Sequence, residues 1–249
     1  MHILRAIATQ GRRGMAFKTI VASSRLPQTT VHRTLRSLMA EGLVHKEERT
    51  QKYHLGPLLH ALGLVAIPHF HFLEKCQGAL DRLATLTGDT VYLSERFGEE
   101  AVTADYREGS YPLKSMLLHV GTRRPLGIGA GGLAILAAMP TAQADEIIKV
   151  NADALPVLGN FDMEFLISAV ELARERGYSY LANKATRGMT AVGVALFDSA
   201  SGARAAISVA AAPSRMTQAR ACEIAGEMKR EIIKIDELFT VQDYDRSVT

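Results

Sequence analysis

The sequence has few aromatic residues and little cysteine: among its 249 residues there is no tryptophan, only 6% are aromatic and only two are cysteine. Cys76 and Cys222 are too few and too far apart in sequence to form a disulfide framework or a CxxC metal site. We therefore expect two buried thiols in a reducing compartment. The composition, with 47% hydrophobic and 22% charged residues, is that of a globular protein with one large domain or two modest ones.

Long hydrophobic runs are also missing. The apolar stretch over residues 58–67 is interrupted by His60 and Gly63, and it is far shorter than the ~20 residues that a membrane span needs. The first seven residues show apolar residues at helical spacing, and they lack the charged and then apolar regions of a signal peptide. We expect a cytoplasmic protein that does not engage a membrane.

Positive charge is unevenly distributed along the chain. Residues 1–60 contain ten lysines and arginines against three acidic residues, whereas the remainder contains 19 against 23. This asymmetry is consistent with one part of the chain binding a polyanion, and also with a chance excess of surface cations. Charge alone does not separate these interpretations, so the residue pattern has to decide.

The basic segment has the pattern of a winged helix-turn-helix. Apolar residues at helical spacing predict short helices over 3–8 and 17–24, and Pro27 is suited to the first turn of a third helix. Two short strands, 43–44 and 53–55, flank a polar loop and predict a wing. The buried face of the third helix is predicted from three apolar residues: Val31, Leu35 and Leu38.

The opposite face of the third helix carries hydrogen-bonding and cationic side chains near its amino-terminal end. Such side chains reach base edges and phosphates when a helix enters the major groove. We expect Arg33 and Arg36 to contact phosphates or guanines, and Lys52 of the wing to lie along the phosphate backbone. Further contacts with base edges or the DNA backbone are expected from the same helix: Gln28, Thr29, Thr30 and His32.

The rest of the chain mixes helical and strand patterns. An apolar helical segment ends at Pro68, and a long helix continues to Gly88. Later helices are predicted near Gly131–Met139, Thr141–Val150, Met163–Arg176 and from Ile224 onward. Strands are predicted at Thr90–Phe97, Glu100–Tyr106, Tyr178–Ala182, Ala191–Phe197 and Arg204–Ala211. This order favours a largely antiparallel sheet with helices outside it over repeated βαβ units.

Residues 127–132 match the spacing GxGxxG. We reject a dinucleotide site, because no clean apolar strand precedes the glycines and no βαβ pattern surrounds them. A glycine-rich turn that opens a helix suits a carboxylate, which free backbone N–H groups can bind. It also suits tight packing of the helix start under a sheet, and both interpretations stay open.

No common catalytic motif occurs in the sequence: GxSxG, HExxH, a Walker motif and an obvious Ser-His-Asp grouping are all absent. We therefore expect neither an enzyme nor a bound cofactor or metal. His119 is interpreted as a strand histidine with satisfied hydrogen bonds rather than a base. His69 and His71 are interpreted as the polar face of a linker turn rather than as metal ligands.

Six segments of the chain resemble the IclR family of bacterial transcriptional regulators. They are LPQTTVHRTL (26–35), EGLV (41–44), YHLG (53–56), LATLTGDTV (83–91), VGTRRPL (120–126) and the stretch 188–198. No single segment is specific, but the set in this order and spacing is. The resemblance spans nearly the whole chain.

The resemblance implies that the glycine-rich loop and strands of the carboxyl-terminal half bind a small organic acid. Carried over by position, Ala130 and Gly131 would offer backbone amides to its carboxylate, and Ser208 would offer a hydroxyl. The expected walls are Met116, Met189 and Ala191. The positions that are polar in a known small-keto-acid pocket are apolar here: Leu181, Ala191 and Ala210. These positions thus offer fewer hydroxyls than that pocket and no acidic residue, which favours a larger, more apolar ligand such as an aromatic acid.

The predicted fold class is α+β. We expect a winged helix-turn-helix over 1–56 and a linker helix over 57–68, which the resemblance implies is also a dimerisation helix. Residues 69–249 are expected to form a GAF-like, mixed but largely antiparallel α/β effector-binding domain. The predicted function is transcriptional regulation, in which a small effector controls how a homodimer or homotetramer binds double-stranded operator DNA. The alternative is a ligand-sensing or hydrolytic α+β protein that does not act on DNA.

Overall fold

The structure, a computed structural model, describes the chain except residues 1, 10, 25, 67–70, 113–117, 153–160, 199–201 and 247–249. The chain divides into two compact units, Met1–Phe72 and Leu73–Thr249. Each unit has a hydrophobic core of its own. Among the described helices, none combines the length and the apolar character that crossing a membrane requires.

The first unit combines short helices with a two-stranded antiparallel hairpin. In chain order its elements are α1 (His2–Thr9), α2 (Phe17–Ser24), α3 (Gln28–Ala40), β1 (Val44–Lys46), β2 (Tyr53–Leu55) and α4 (Pro57–Ala66). The loop before α2 joins the hairpin, because the backbones of Met15 and Tyr53 exchange two hydrogen bonds of 2.9 Å. The apolar faces of these elements meet in one core, which includes Ile3, Ile7, Ile20, Val31, Leu35 and Val44.

Helix α3 begins one residue later than the sequence predicts. Pro27 is its N-cap rather than a member of the first turn, and its carbonyl accepts the Val31 N–H at 3.0 Å. Val31 and Leu35 are fully buried, as predicted, whereas Leu38 is half-buried. The buried stripe leaves the other faces of α3 to solvent.

A close backbone contact between two glycines connects α3 and the hairpin. Gly42 turns the chain with a φ of 69°, a conformation that favours glycine. A Cβ at Gly56 would lie 2.0 Å from the Gly42 carbonyl oxygen, so only glycine fits there. The hairpin therefore has a defined place after α3, as the predicted wing requires.

The second unit is built on a single six-stranded sheet. From residue 71 onward its elements are α5 (His71–Thr87), β3 (Thr90–Phe97), β4 (Glu100–Arg107), β5 (Arg123–Pro125), α6 (Ala130–Ala137), α7 (Thr141–Asn151), α8 (Met163–Arg176), β6 (Ser179–Ala182), β7 (Thr190–Asp198), β8 (Gly202–Ala211) and α9 (Gln218–Arg246). The strand order is β5-β4-β3-β8-β7-β6, and every neighbouring pair is antiparallel. This topology confirms the predicted antiparallel sheet.

One strand of this unit was not predicted. Strand β5 has the sequence Arg-Arg-Pro, which shows none of the apolar alternation that identifies strands. Helix α6 starts at Ala130, one residue before the predicted start, and the glycines at 131 and 132 lie in its first turn. All eight residues of α6 are buried, and the helix packs against β7, β8, β6, β3 and α8.

Charged groups also connect elements of the second unit. The Asp89 carboxylate, which is 2% exposed, accepts Arg215 Nε at 2.9 Å and Arg220 Nη2 at 2.7 Å. Between α5 and α9, Arg82 donates twice to one carboxylate oxygen of Glu231, at 2.9 and 2.6 Å. These pairs fix the ends of the sheet and the terminal helices relative to each other.

The expectation of two buried thiols is wrong for one of them. Cys76 is buried in α5, and burial raises the pKa of its thiol to about 12. Cys222 is exposed on α9. The buried face of that helix passes through Ala221, Ile224 and Ala225, which turns the intervening Cys222 outward.

Candidate functional site

The solvent face of α3 is the first candidate site. Thr30 is half-buried, and the other predicted residues of this helix are exposed: Gln28, Thr29, His32, Arg33 and Arg36. In the described part of the chain, the guanidinium groups of Arg33 and Arg36 form no ion pair. Their charge is therefore not neutralised within the protein and is available to an anionic partner.

The amino-terminal end of α3 borders a shallow hollow, lined by Phe17, Gln28, Thr29 and His32. The rings of Phe17 and His32 meet edge to face, with 6.1 Å between their centroids. An apolar ring surface beside hydrogen-bonding side chains is suited to the edge of a base pair that carries a thymine methyl group.

The hairpin and its loop carry three cations, and the sequence predicts that the cations of this loop lie along a phosphate backbone. Lys52 is half-buried, and its ammonium donates to the Arg13 carbonyl at 3.3 Å. Lys46 and Arg49 are exposed, although Lys46 lies over the Tyr53 ring at 5.6 Å. All three cations lie on the hairpin or its loop and stay candidates for phosphate contacts.

The second candidate site is a cavity of about 70 Å³ in the second unit. Strands of the sheet, the start of α6 and the β6–β7 loop surround it. Five of the six predicted effector residues line it: Ala130, Gly131, Met189, Ala191 and Ser208. The sixth, Met116, lies outside the described residues. Leu181 and Ala210 also line the cavity, as apolar surface.

The start of α6 packs closely against the sheet and is hydrogen-bonded to it. Ser179 Oγ donates to the Ala130 carbonyl at 2.7 Å, and a Cβ at Gly193 would lie 2.7 Å from the same oxygen. A Cβ at Gly131 would lie 2.9 Å from Ser94 Oγ and 3.4 Å from Ser208 Oγ. Tight packing therefore accounts for Gly131 and Gly193, and it also brings the helix start beside two hydroxyl groups.

The cavity also contains polar groups. Strands and loops outside the compared positions contribute hydroxyl groups: Tyr92, Ser94, Thr103, Thr122 and Thr186, besides Ser208. Among the described residues that line the cavity, none is acidic. Arg124 of β5 is also part of the wall, and burial lowers the pKa of its guanidinium.

The sequence reasoning missed Arg124, although a signal was present. Adjacent residues of a strand point to opposite faces, so one member of an Arg-Arg pair must point inward if the strand covers a cavity. Because residues 123–125 show no apolar alternation, the sequence predicts no strand there and does not identify which arginine points inward.

Other predictions at this site have mixed outcomes. A strand does precede the GxGxxG segment, namely β5, but it is a three-residue edge strand of an antiparallel sheet and forms no βαβ unit. His119 is exposed and lies in a loop rather than in a strand. His69 lies outside the described residues, as does the side chain of His71. The described residues contain no group of three or more side chains that could hold a metal ion.

Comparisons with known proteins decide the family. A model of the carboxyl-terminal region of bacterial IclR transcriptional regulators matches residues 65–237, and a model of the IclR helix-turn-helix domain matches residues 1–48. The chain belongs to the IclR family. As an IclR-family protein it is a DNA-binding transcriptional regulator and not an enzyme, which excludes the hydrolytic alternative.

Individual relatives agree with this assignment. This chain is 27% identical to the transcriptional repressor AllR of Salmonella paratyphi A over 216 residues, which are 86% of this chain and 79% of AllR. An IclR regulator from Alicyclobacillus acidocaldarius has a similar fold, with a TM-score of 0.75, 22% identity and 94% of each chain covered. An IclR homologue from Microbacterium hydrocarbonoxydans, solved with 4-hydroxybenzoate, has a TM-score of 0.70 at 19% identity, covering 94% of this chain and 97% of that one.

Proposed function

We propose that this IclR regulator binds operator DNA as a homodimer or homotetramer, and that a small organic carboxylate bound in the cavity changes its affinity for that DNA. The observation that carries the proposal is the start of α6, where the N–H groups of Ala130 and Gly131 have no acceptor among the described residues. The N–H groups in the first turn of a helix carry partial positive charge and favour an anion.

The DNA contacts follow from the exposed face of α3. Arg33 and Arg36 bind phosphates or guanines, and Lys52 and its neighbours on the hairpin bind the phosphate backbone. The hydrogen-bonding side chains near the start of α3 contact base edges or backbone: Gln28, Thr29, Thr30 and His32. Because one recognition helix covers only a few base pairs, a two-fold dimer on a palindromic site doubles the contact.

Helix α4 supports the proposed dimer. It lies within the segment 57–68 that was predicted as a dimerisation helix, and it exposes apolar side chains: Leu62 is 53% exposed and Val65 is 80% exposed. Apolar side chains that stand together on one helix are stabilised when another surface covers them. In a two-fold dimer, helix α4 of the second copy covers these side chains.

The character of the cavity supports an organic acid as effector. Ala191, Leu181 and Ala210 supply apolar wall, whereas Ser208 supplies a hydroxyl at 6% exposure. An apolar wall with a few placed polar groups is typical of sites for small ligands. The structural neighbour that binds 4-hydroxybenzoate makes an aromatic carboxylate the first candidate.

A gel-shift assay with the DNA upstream of the protein's own gene tests this function. We expect a discrete complex that survives competition by unrelated DNA and that an acid from a panel of small and aromatic carboxylates strengthens or weakens. Weak binding that salt abolishes equally for every sequence would contradict the proposal, because it would indicate only the general attraction of a basic protein to phosphate.

A further inference from the structure

The two arginines of β5 have different surroundings. Arg123 donates to Glu100 Oε2 from Nε at 2.9 Å and from Nη2 at 2.7 Å, and its guanidinium also lies 5.7 Å from the centre of the Phe97 ring. Arg124 points to the other face of the strand, into the cavity, and is half-buried. It forms no ion pair with any carboxylate of the described residues.

An unpaired guanidinium is costly in this position. Arginine stays charged even when burial lowers its pKa, as burial does for Arg124. A buried cation is normally paired with an anion or hydrogen-bonded. The described residues that line the cavity include no acidic side chain that could serve as its partner. The missing counter-charge must therefore come from solvent or from a ligand.

The position of Arg124 favours a ligand over solvent as the source of this counter-charge. Its Nη1 atom lies 3.9 Å from where a Cβ on Gly129 would be, so the guanidinium stands beside the N-cap of α6. The first turn of α6 and the guanidinium are both positive and face the same space. A single anion placed there would interact favourably with both of them.

We propose that Arg124 pairs with the carboxylate of the effector and restricts the cavity to anionic ligands. The inference rests on the proposed function, since it needs an organic acid in this cavity. A planar guanidinium matches a carboxylate with two parallel hydrogen bonds, which a lysine ammonium cannot reproduce. Ser94 and Ser208, beside Gly131, remain available for other polar groups of the ligand.

Thermal-shift and calorimetric titrations of the full-length protein test the role of Arg124. The probes are glyoxylate, pyruvate, benzoate and 4-hydroxybenzoate, and the neutral benzamide and 4-hydroxybenzamide. The variants are Arg124→Gln, Arg124→Lys and, as a matched control on the same strand, Arg123→Gln. We expect at least one acid to bind the wild type while its amide does not. Arg124→Gln should bind that acid about tenfold to hundredfold more weakly.

The other variants separate charge from structure. Arg124→Lys should bind the acid with intermediate affinity, and Arg123→Gln should bind it like the wild type. Arg124→Gln should melt no lower than the wild type without ligand, because it removes an unpaired charge. If it fails to fold, the comparison of Arg124→Lys with Arg123→Gln decides.

Each contrary outcome has a distinct meaning. If the wild type binds an acid and Arg124→Gln binds it equally well, the role of Arg124 is wrong and the proposed function stands. Equal binding of an acid and its neutral amide would also overturn the anion restriction alone. If no acid of the panel binds the wild type, both the restriction and the carboxylate effector are contradicted.

Discussion

The two units hold their functional charges in opposite environments. In the first unit, Arg33 and Arg36 stand on the solvent face of α3, where water screens their charge and the fold does not depend on them. In the second unit, Asp89 and Arg124 are withdrawn from solvent, and Asp89 is paired within the fold. Substituting an exposed cation should therefore affect binding alone, whereas substituting the buried and paired Asp89 should lower stability.

The largest expected effect is a loss of stability when the buried carboxylate of Asp89 is removed. Asp89→Asn removes the anion that Arg215 and Arg220 share, and we expect it to lower the free energy of unfolding by about 3 kcal/mol. Urea unfolding followed by circular dichroism measures this loss. Asp81→Asn is the control, because Asp81 is 61% exposed in its pair with Arg107 and should cost less than about 1 kcal/mol. Equal losses of unfolding free energy in the two variants would contradict the difference between buried and exposed charges.

The second prediction concerns Arg33, an exposed cation of the first unit. Arg33→Ala should weaken operator binding by about 1–3 kcal/mol without moving the urea midpoint. Fluorescence anisotropy at several salt concentrations distinguishes the two expected contacts. A phosphate contact weakens binding to all sequences and lowers the salt dependence, whereas a guanine contact relaxes one base position. Arg5 is an exposed cation of α1 and does not belong to α3 or the hairpin, so unchanged binding by Arg5→Ala is the expected control.

A smaller effect depends on pH. Burial alone would raise the pKa of Glu231, but its hydrogen bonds from Arg82 and Lys234 lower the pKa below its ordinary value. A lowered pKa in the folded state stabilises the protein above the unfolded-state pKa, and this contribution disappears as the pH falls through the folded-state value. Glu231→Gln should therefore cost about 1 kcal/mol at neutral pH and progressively less below about pH 4.

The exposed pair on the same helix provides the control for this pH dependence. Glu227 pairs with Arg230 at i, i+3 on the surface of α9, so Glu227→Gln should change stability little at any pH. Urea unfolding at a series of pH values measures both variants. A loss for Glu231→Gln that stays constant down to acid pH would show that lost packing, rather than charge, is responsible.

The smallest effect concerns the two thiols and has no consequence for stability. In the native protein, a thiol reagent should modify one cysteine per chain at mildly alkaline pH, because Cys222 is exposed and the raised pKa of Cys76 keeps it protonated. Mass spectrometry should locate the label on Cys222. Native Cys222→Ser should remain unlabelled, and labelling of two cysteines would indicate that the core around α5 opens.

Most of the fold could be predicted from the sequence, because its elements have strong periodic patterns. Residues 90–97 and 163–176 are a strand and a helix with the predicted bounds. The solvent face of α3 was predictable for the same reason, since its buried stripe defines the exposed side. The predicted domain boundaries, the roles of the site residues and the oligomeric state stay predictions.

The features that the sequence does not predict depend on contacts between residues that are distant in sequence. Strand β5 is defined by its pairing with β4, and that pairing turns Arg124 toward the cavity. The hydroxyls of Ser94 and Thr103 reach the same cavity from strands whose patterns predict only a sheet. A cavity combines residues that are distant in sequence, whereas a helix face combines residues three and four apart.

The most direct test of the account is the coupling between the two sites. The dissociation constant for operator DNA should be measured by fluorescence anisotropy, with and without a saturating carboxylate that stabilises the protein in the thermal-shift assay. We expect the bound acid to change this dissociation constant about fivefold or more in the wild type, and not at all in Arg124→Gln at the same ligand concentration. An identical dissociation constant with and without bound acid in the wild type would contradict it.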